Sequence, residues 1–124
     1  MTTKGITINW VNNHGALSFT FPEVLDKKSA EKAIAQWDTE FASLRGNTDL
    51  IWDCSQMNDY DPVVRIIWQK ALSSHKDKID TIWMVCESAV VRAGAKLFSL
   101  FVGVKIKTVK TLDEIPAFTP MLAV

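Results

Sequence analysis

The sequence predicts an α/β fold: a single mixed sheet of about five strands, a β-hairpin followed by βαβαβ, mostly parallel, with the helices mainly on one face. Three observations carry this expectation. Residues 6–21 alternate apolar and polar with the period of two that marks half-buried strands. Residues 29–44 switch to a helical period. Two short apolar runs, Leu50–Cys54 and Thr81–Cys86, are each followed by a stretch of helical character, as parallel strands joined by crossovers require.

In the hairpin, Ile6, Ile8 and Trp10 alternate with Thr7 and Asn9, Asn12-Asn13-His14-Gly15 turns the chain, and Leu17, Phe19 and Phe21 alternate with Ser18 and Thr20. Both strands are apolar on one face only. From Ser29 to Leu44, the residues Ala30, Ala33, Ile34, Trp37, Phe41 and Leu44 form one stripe, with Asp26 or Ser29 as cap and Gly46 placed to end the helix. After the Leu50–Cys54 strand, Asp61-Pro62 combines an N-cap acceptor with proline at the first helical position and opens a second helix running to Lys76. Thr81–Cys86 is the next core strand, Ser88–Phe101 a third helix, and Val104–Thr111 a last strand carrying Lys105, Lys107 and Lys110. Leu112-Asp113-Glu114-Ile115 begins a short terminal helix that Pro116 or Pro120 stops. Right-handed crossovers between strands laid down in sequence order put every helix on the same face and place Trp52 and Trp83 on neighbouring strands. The opposite face is then expected to be partly open or covered by a partner.

Composition sets the class of molecule. The 124 residues are 48% hydrophobic and 23% charged, with only five glycines and four prolines, which fits one globular domain over residues 1–124 and excludes a disordered tail. Fourteen Lys and Arg balance fourteen Asp and Glu, so no net field recruits nucleic acid or an anionic membrane. No apolar stretch reaches the ~18 residues of a span, and no apolar core follows Met1-Thr2-Thr3-Lys4. The expectation is a cytoplasmic protein with no nucleic-acid partner and no stable membrane insertion. Cys54 and Cys86 form no CxxC and have no histidine beside them; they read as buried apolar thiols ending strands, with a regulatory disulfide as the other reading.

Motifs that carry chemistry are missing. No GxxxxGK, GxGxxG, GxSxG or HExxH occurs, and His14 in a turn and His75 near a helix end are not placed for nucleophilic catalysis. The expectation is therefore no enzyme, no cofactor and no metal site. The acidic cluster Asp53, Asp59 and Asp61 falls at the carboxyl end of a central strand, where open α/β sheets bind ligands. Such carboxylates suit Mg²⁺ or an acidic docking rim; otherwise Asp61 caps the helix, Asp53 orders the loop and Asp59 is solvated.

The stretch Leu50-Ile51-Trp52-Asp53-Cys54-Ser55-Gln56-Met57-Asn58-Asp59-Tyr60-Asp61-Pro62 resembles the strand–loop–helix signature of STAS domains, the anti-sigma-factor antagonist fold. Asp53 and Ser55 match the family's D-x-S, and Asp61 falls on the Asp of its Asp-Ser-Ser-Gly helix start. The order of elements along the chain agrees, and Leu112-Asp113-Glu114-Ile115 resembles the family's closing helix. The similarity leans to the SpoIIAA-like, STAS/SEC14-related branch. A response-regulator receiver, by contrast, needs a carboxylate pair after its first strand, where this chain has a hairpin ending in Pro22-Glu23. In partner-switching members a kinase phosphorylates a serine of the helix start; here those positions are Pro62 and Val63, with Val64 at the glycine, so the resemblance does not carry that switch over.

What the resemblance implies is a regulatory or protein-interaction module docking around Asp59, Tyr60 and Asp61; with the neighbouring residues of the loop and helix, the expected partner or ligand surface is Asp53, Ser55, Asp59, Tyr60, Asp61, Val63, Ile66 and Trp68. Helix Pro62–Lys76 supports it: Val63, Val64, Ile66, Ile67, Trp68, Ala71 and Leu72 exceed the stripe of about 100–140° that one sheet covers. The surplus points to a contact surface, most simply a homodimer, and helix Ser88–Phe101 repeats the pattern; the alternative is that neighbouring helices and the apolar tail Pro120–Val124 bury both surpluses. The other reading is a carrier of a small hydrophobic ligand, a lipid or organic acid, lined by Trp10, Trp37, Trp52, Trp68, Trp83 and the six phenylalanines.

Overall fold

The computed structural model of the chain describes residues 5–11, 15–57, 59–86 and 103–115. Along it run β1 (Thr7–Val11), β2 (Ala16–Thr20), β3 (Val24–Leu25), α1 (Lys27–Ala42), β4 (Thr48–Asp53), β5 (Asp59–Tyr60), α2 (Pro62–His75), β6 (Ile79–Val85) and β7 (Ile106–Val109). Five strands form one sheet in the order β1-β2-β4-β6-β7. The β1–β2 hairpin is antiparallel and the other three pairings are parallel. Spatial order follows chain order, the arrangement expected when each helix returns the chain over the same face.

Side-chain alternation splits the sheet into two unequal faces. Leu17, Phe19, Leu50, Trp52, Ile82 and Met84 point to one side, where they meet Ala30, Ala33, Trp37 and Phe41 of α1 and Val64, Trp68, Ala71 and Leu72 of α2. Aromatic rings dominate this layer. Phe19 meets Trp37 edge to face at 5.2 Å and Trp68 at 5.9 Å, and Trp68 also meets Phe21 and Trp52, at 5.5 and 5.9 Å. Offset and edge-on contacts of this kind add to the area these rings bury.

The opposite face differs from expectation. Ala16, Ile51 and Val85 are buried there, and the chain itself supplies cover: a 3₁₀ turn at Leu112–Glu114 sets Leu112 and the fully buried Ile115 against them. A three-residue turn thus stands where a terminal helix was expected. Thr111 and Glu114 fix it with a capping box, the Glu114 carboxylate accepting from the Thr111 and Lys110 N–H groups at 3.1 and 3.0 Å. Trp52 and Trp83 do lie on neighbouring strands, but Trp83 is one register step from Trp52's partner Met84 and so faces the second side. Asp49 anchors it. The β4–β6 register slips between Thr48 and Leu50, and the Asp49 carboxylate accepts from the Thr81 N–H at 3.2 Å and the Trp83 indole N–H at 3.1 Å.

Element ends shift by a few residues from the sequence reading, for local reasons. Helix α1 starts at Lys27 because Asp26 takes the cap, its carboxylate accepting from the Ser29 N–H at 2.8 Å. The backbone and side-chain hydrogen bonds of Ser29 hold the Asp26 carboxyl below its ordinary value of 3.8. That contribution is fully present above the ordinary value and is lost as the pH falls below it. Helix α1 ends at Ala42, before Leu44, where Lys78 donates to the Phe41 and Leu44 carbonyls at 2.7 and 3.3 Å. Gly46 serves the following turn at φ 88°, where a side chain is disfavoured. Helices α1 and α2 are pinned together by His75, whose Nε2 lies 2.6 Å from the Asp38 carboxylate and whose ring rests on Trp37 at 4.8 Å.

A second, two-stranded sheet joins β3 to β5, parallel, with Val24 opposite Asp59 and Leu25 opposite Tyr60. Both segments read as loop in the sequence. The expected helix Ser88–Phe101, the turn at His14 and the tail Pro120–Val124 lie outside the described residues.

Candidate functional site

The carboxyl end of β4, the loop after it and the start of α2 hold most of the residues singled out from sequence. Asp53 turns the chain: its carboxylate accepts from the Ser55 N–H at 3.1 Å and the Ser55 hydroxyl at 2.6 Å. Ser55 therefore orders the loop through the Asp53 carboxylate. The Met57 N–H donates to the Cys54 carbonyl at 3.1 Å and tightens the same turn.

The chain then pairs with β3 as β5, and the Asp61 N–H donates to the Leu25 carbonyl at 3.0 Å. Asp61 caps α2, its carboxylate accepting from the Val63 N–H at 3.1 Å, and Pro62 follows at the first turn. A side-chain cap such as that of Asp61 is worth about 1 kcal/mol to the helix start. Asp53 and Asp61 thus take the structural roles the sequence allowed them. Among the described residues, no group of three or more His, Cys, Asp or Glu is placed to hold a metal ion. Asp59 and Tyr60 contribute their backbone to β5; their side chains lie outside the described residues.

Helix α2 divides the apolar residues expected on the contact surface. Trp68 is buried in the ring cluster against the sheet and is removed from the contact surface, a correction with a simple cause: the largest side chain on the helix packs its rings against Phe19, Phe21, Trp37 and Trp52. Val64, Ala71 and Leu72 face the same way. Val63 and Ile67 are half-buried, and Ile66 is 57% exposed. Ile66, Gln69, Lys70 and Ser73, at helical spacing, line a shallow depression of about 370 Å³. Sequence reasoning missed Val24, which is 59% exposed on the strand that pairs with β5 just ahead of α2. The signal is faint: Val24-Leu25 is a two-residue alternation, with Leu25 inward and Val24 outward.

No family model matches the chain, and no curated protein matches it. Among solved structures it is similar to an uncharacterized protein of the DUF3478 family with a SpoIIAA-like fold from Shewanella loihica PV-4, at a TM-score of 0.76 and 11% identity, over 92% of this chain and 93% of that one. The chain has a SpoIIAA-like fold. That agrees with the resemblance carried by residues 50–62, and at this identity the likeness extends to the fold alone. Among the described residues, no helix is long and apolar enough to cross a membrane.

Proposed function

We propose that the protein is a non-enzymatic interaction module of the STAS/SpoIIAA-like type, docking through the outer face of α2 onto a second copy of the chain. The observation that carries this reading is Ile66, an isoleucine 57% exposed in the second turn of a helix whose other face already fills the core. Val63 and Ile67 extend the apolar strip on either side. Burying an isoleucine completely is worth about 1.5–3 kcal/mol, so Ile66 holds a substantial unused share of that for a partner. With Pro62 and Val63 where the resemblance places phosphorylated serines, this module docks without a phosphate gate at its helix start. The hydroxyl of Ser55 is engaged with Asp53 at 2.6 Å.

The carrier reading draws on the tryptophans and phenylalanines, and their packing counts against it. Phe19, Phe21, Trp37, Trp52 and Trp68 touch one another ring to ring, which is the behaviour of core. Native mass spectrometry of the purified protein separates the two readings. A bare oligomer is the expected result; a stoichiometric co-purified lipid or organic acid overturns the interaction module in favour of a carrier.

A further inference from the structure

The sequence leaves Cys54 and Cys86 thirty-two positions apart, and the fold brings them side by side. Asp53 pairs with Val85 across the parallel β4–β6 ladder, and the Cys54 N–H continues that ladder by donating to the Val85 carbonyl at 3.0 Å. Carried one residue beyond the Asp53–Val85 pair, the same register sets Cys54 opposite Cys86. Neighbouring strands lie about 4.7–4.9 Å apart, inside the Cα separation a disulfide spans. Both side chains point to the helix-covered face, since Cys54 follows Trp52 by two and Cys86 follows Met84 by two, and all four belong to one buried cluster. Each cysteine sits just past the last residue of its strand, with its N–H still held by the neighbouring strand, Cys54 by the Val85 carbonyl and Cys86 by the Val109 carbonyl, so the sulfurs are brought together by side-chain rotation.

We propose that Cys54 and Cys86 form a reversible intrachain disulfide when the protein meets a hydroperoxide, fastening the carboxyl ends of β4 and β6 directly beneath the Asp53–Ser55 turn. The inference stands apart from the docking reading. Burial first, then the Cys86 thiol and the Asp53 charge, push the Cys54 thiol well above its usual range, so Cys54 stays protonated and is not the sulfur attacked first. Cys86 takes that step: its sulfur attacks the terminal oxygen of the hydroperoxide, the O–O bond breaks, the alkoxide (hydroxide from hydrogen peroxide) leaves with the thiol proton as alcohol or water, and Cys86 becomes a sulfenic acid. The Cys54 sulfur then attacks the Cys86 sulfur, its proton leaving with the sulfenic hydroxyl as water. The sum is two thiols and one hydroperoxide going to one disulfide, one water and the corresponding alcohol or second water. The product suits the site because a disulfide is neutral in an apolar cluster. A metal ion bridging two thiolates would instead leave charge there beside Asp53.

The test is to reduce the purified protein fully, remove the reductant, treat it with hydrogen peroxide and follow intact mass and non-reducing peptide maps. The expected result is loss of two hydrogens per chain, with both thiols disappearing together and a linked pair of peptides containing Cys54 and Cys86. Dithiothreitol restores the reduced mass. Closing the 54–86 loop raises the thermal midpoint of the oxidised form by about 10 °C. In a Cys54→Ser variant, the reaction halts at a Cys86 sulfenic acid that dimedone traps. Independent oxidation of the two thiols, linkage only between chains, or a pair still reduced when the urea-unfolded chain has oxidised under the same peroxide each overturn the proposal.

Discussion

Trp68→Ala is expected to lower folding stability by about 3–5 kcal/mol, the cost of emptying a large aromatic site in a packed core, while Ile66→Ala on the same helix changes it by no more than about 0.5 kcal/mol. Trp68 is 6% exposed and touches Phe19, Phe21, Trp37 and Trp52, so its removal opens a void at the junction of the sheet with both helices. Ile66 is 57% exposed. Urea unfolding at a concentration where the chain is monomeric measures both. The pair fixes the rotation of α2 about its axis: comparable losses for the two variants would mean that the helix presents a different face to the sheet.

The second large effect belongs to the other side of the sheet. Ile115→Ala is expected to cost about 2–5 kcal/mol, because this fully buried residue lies beyond the last strand and closes the layer formed with Ala16, Ile51 and Val85. Most of that loss is cavity and exposed strand surface, and the midpoint in urea should fall with little change in slope. A loss below about 0.5 kcal/mol would show that the second face is covered by something other than the Leu112–Ile115 turn.

The sheet was readable because its signals are redundant. The period of two in Leu17, Phe19 and Phe21, the Asp61-Pro62 helix start and the apolar runs ending at Cys54 and Cys86 all point to the same ladder order, and right-handed crossovers leave few alternatives. Trp68 was harder to place. Val63, Val64, Ile66, Ile67, Trp68, Ala71 and Leu72 cover so much of the helix that periodicity does not choose a face, and only the ring cluster from Phe19, Trp37 and Trp52 decides it. The β3–β5 pair is two residues long on each side, too short for any period, and depends on main-chain pairing across 35 positions of sequence. Ile115 and Leu112 are the only apolar residues from Lys110 to Ile115, too few to set a period, so the burial of Ile115 follows from where the chain turns. At the site, Asp61 announced itself as a cap through the proline after it. The roles of Asp53 and Ser55 toward each other required the turn that brings them within 2.6 Å.

Sedimentation velocity at micromolar concentration, on the wild-type chain and on Ile66→Asp, tests most directly whether the outer face of α2 is a docking surface. The account predicts that the wild type sediments at twice the 13.9 kDa chain mass and that Ile66→Asp, with an unchanged urea midpoint measured under monomeric conditions, sediments as a single chain. A wild type that remains monomeric throughout this range, or an Ile66→Asp variant that still forms the dimer, would contradict it.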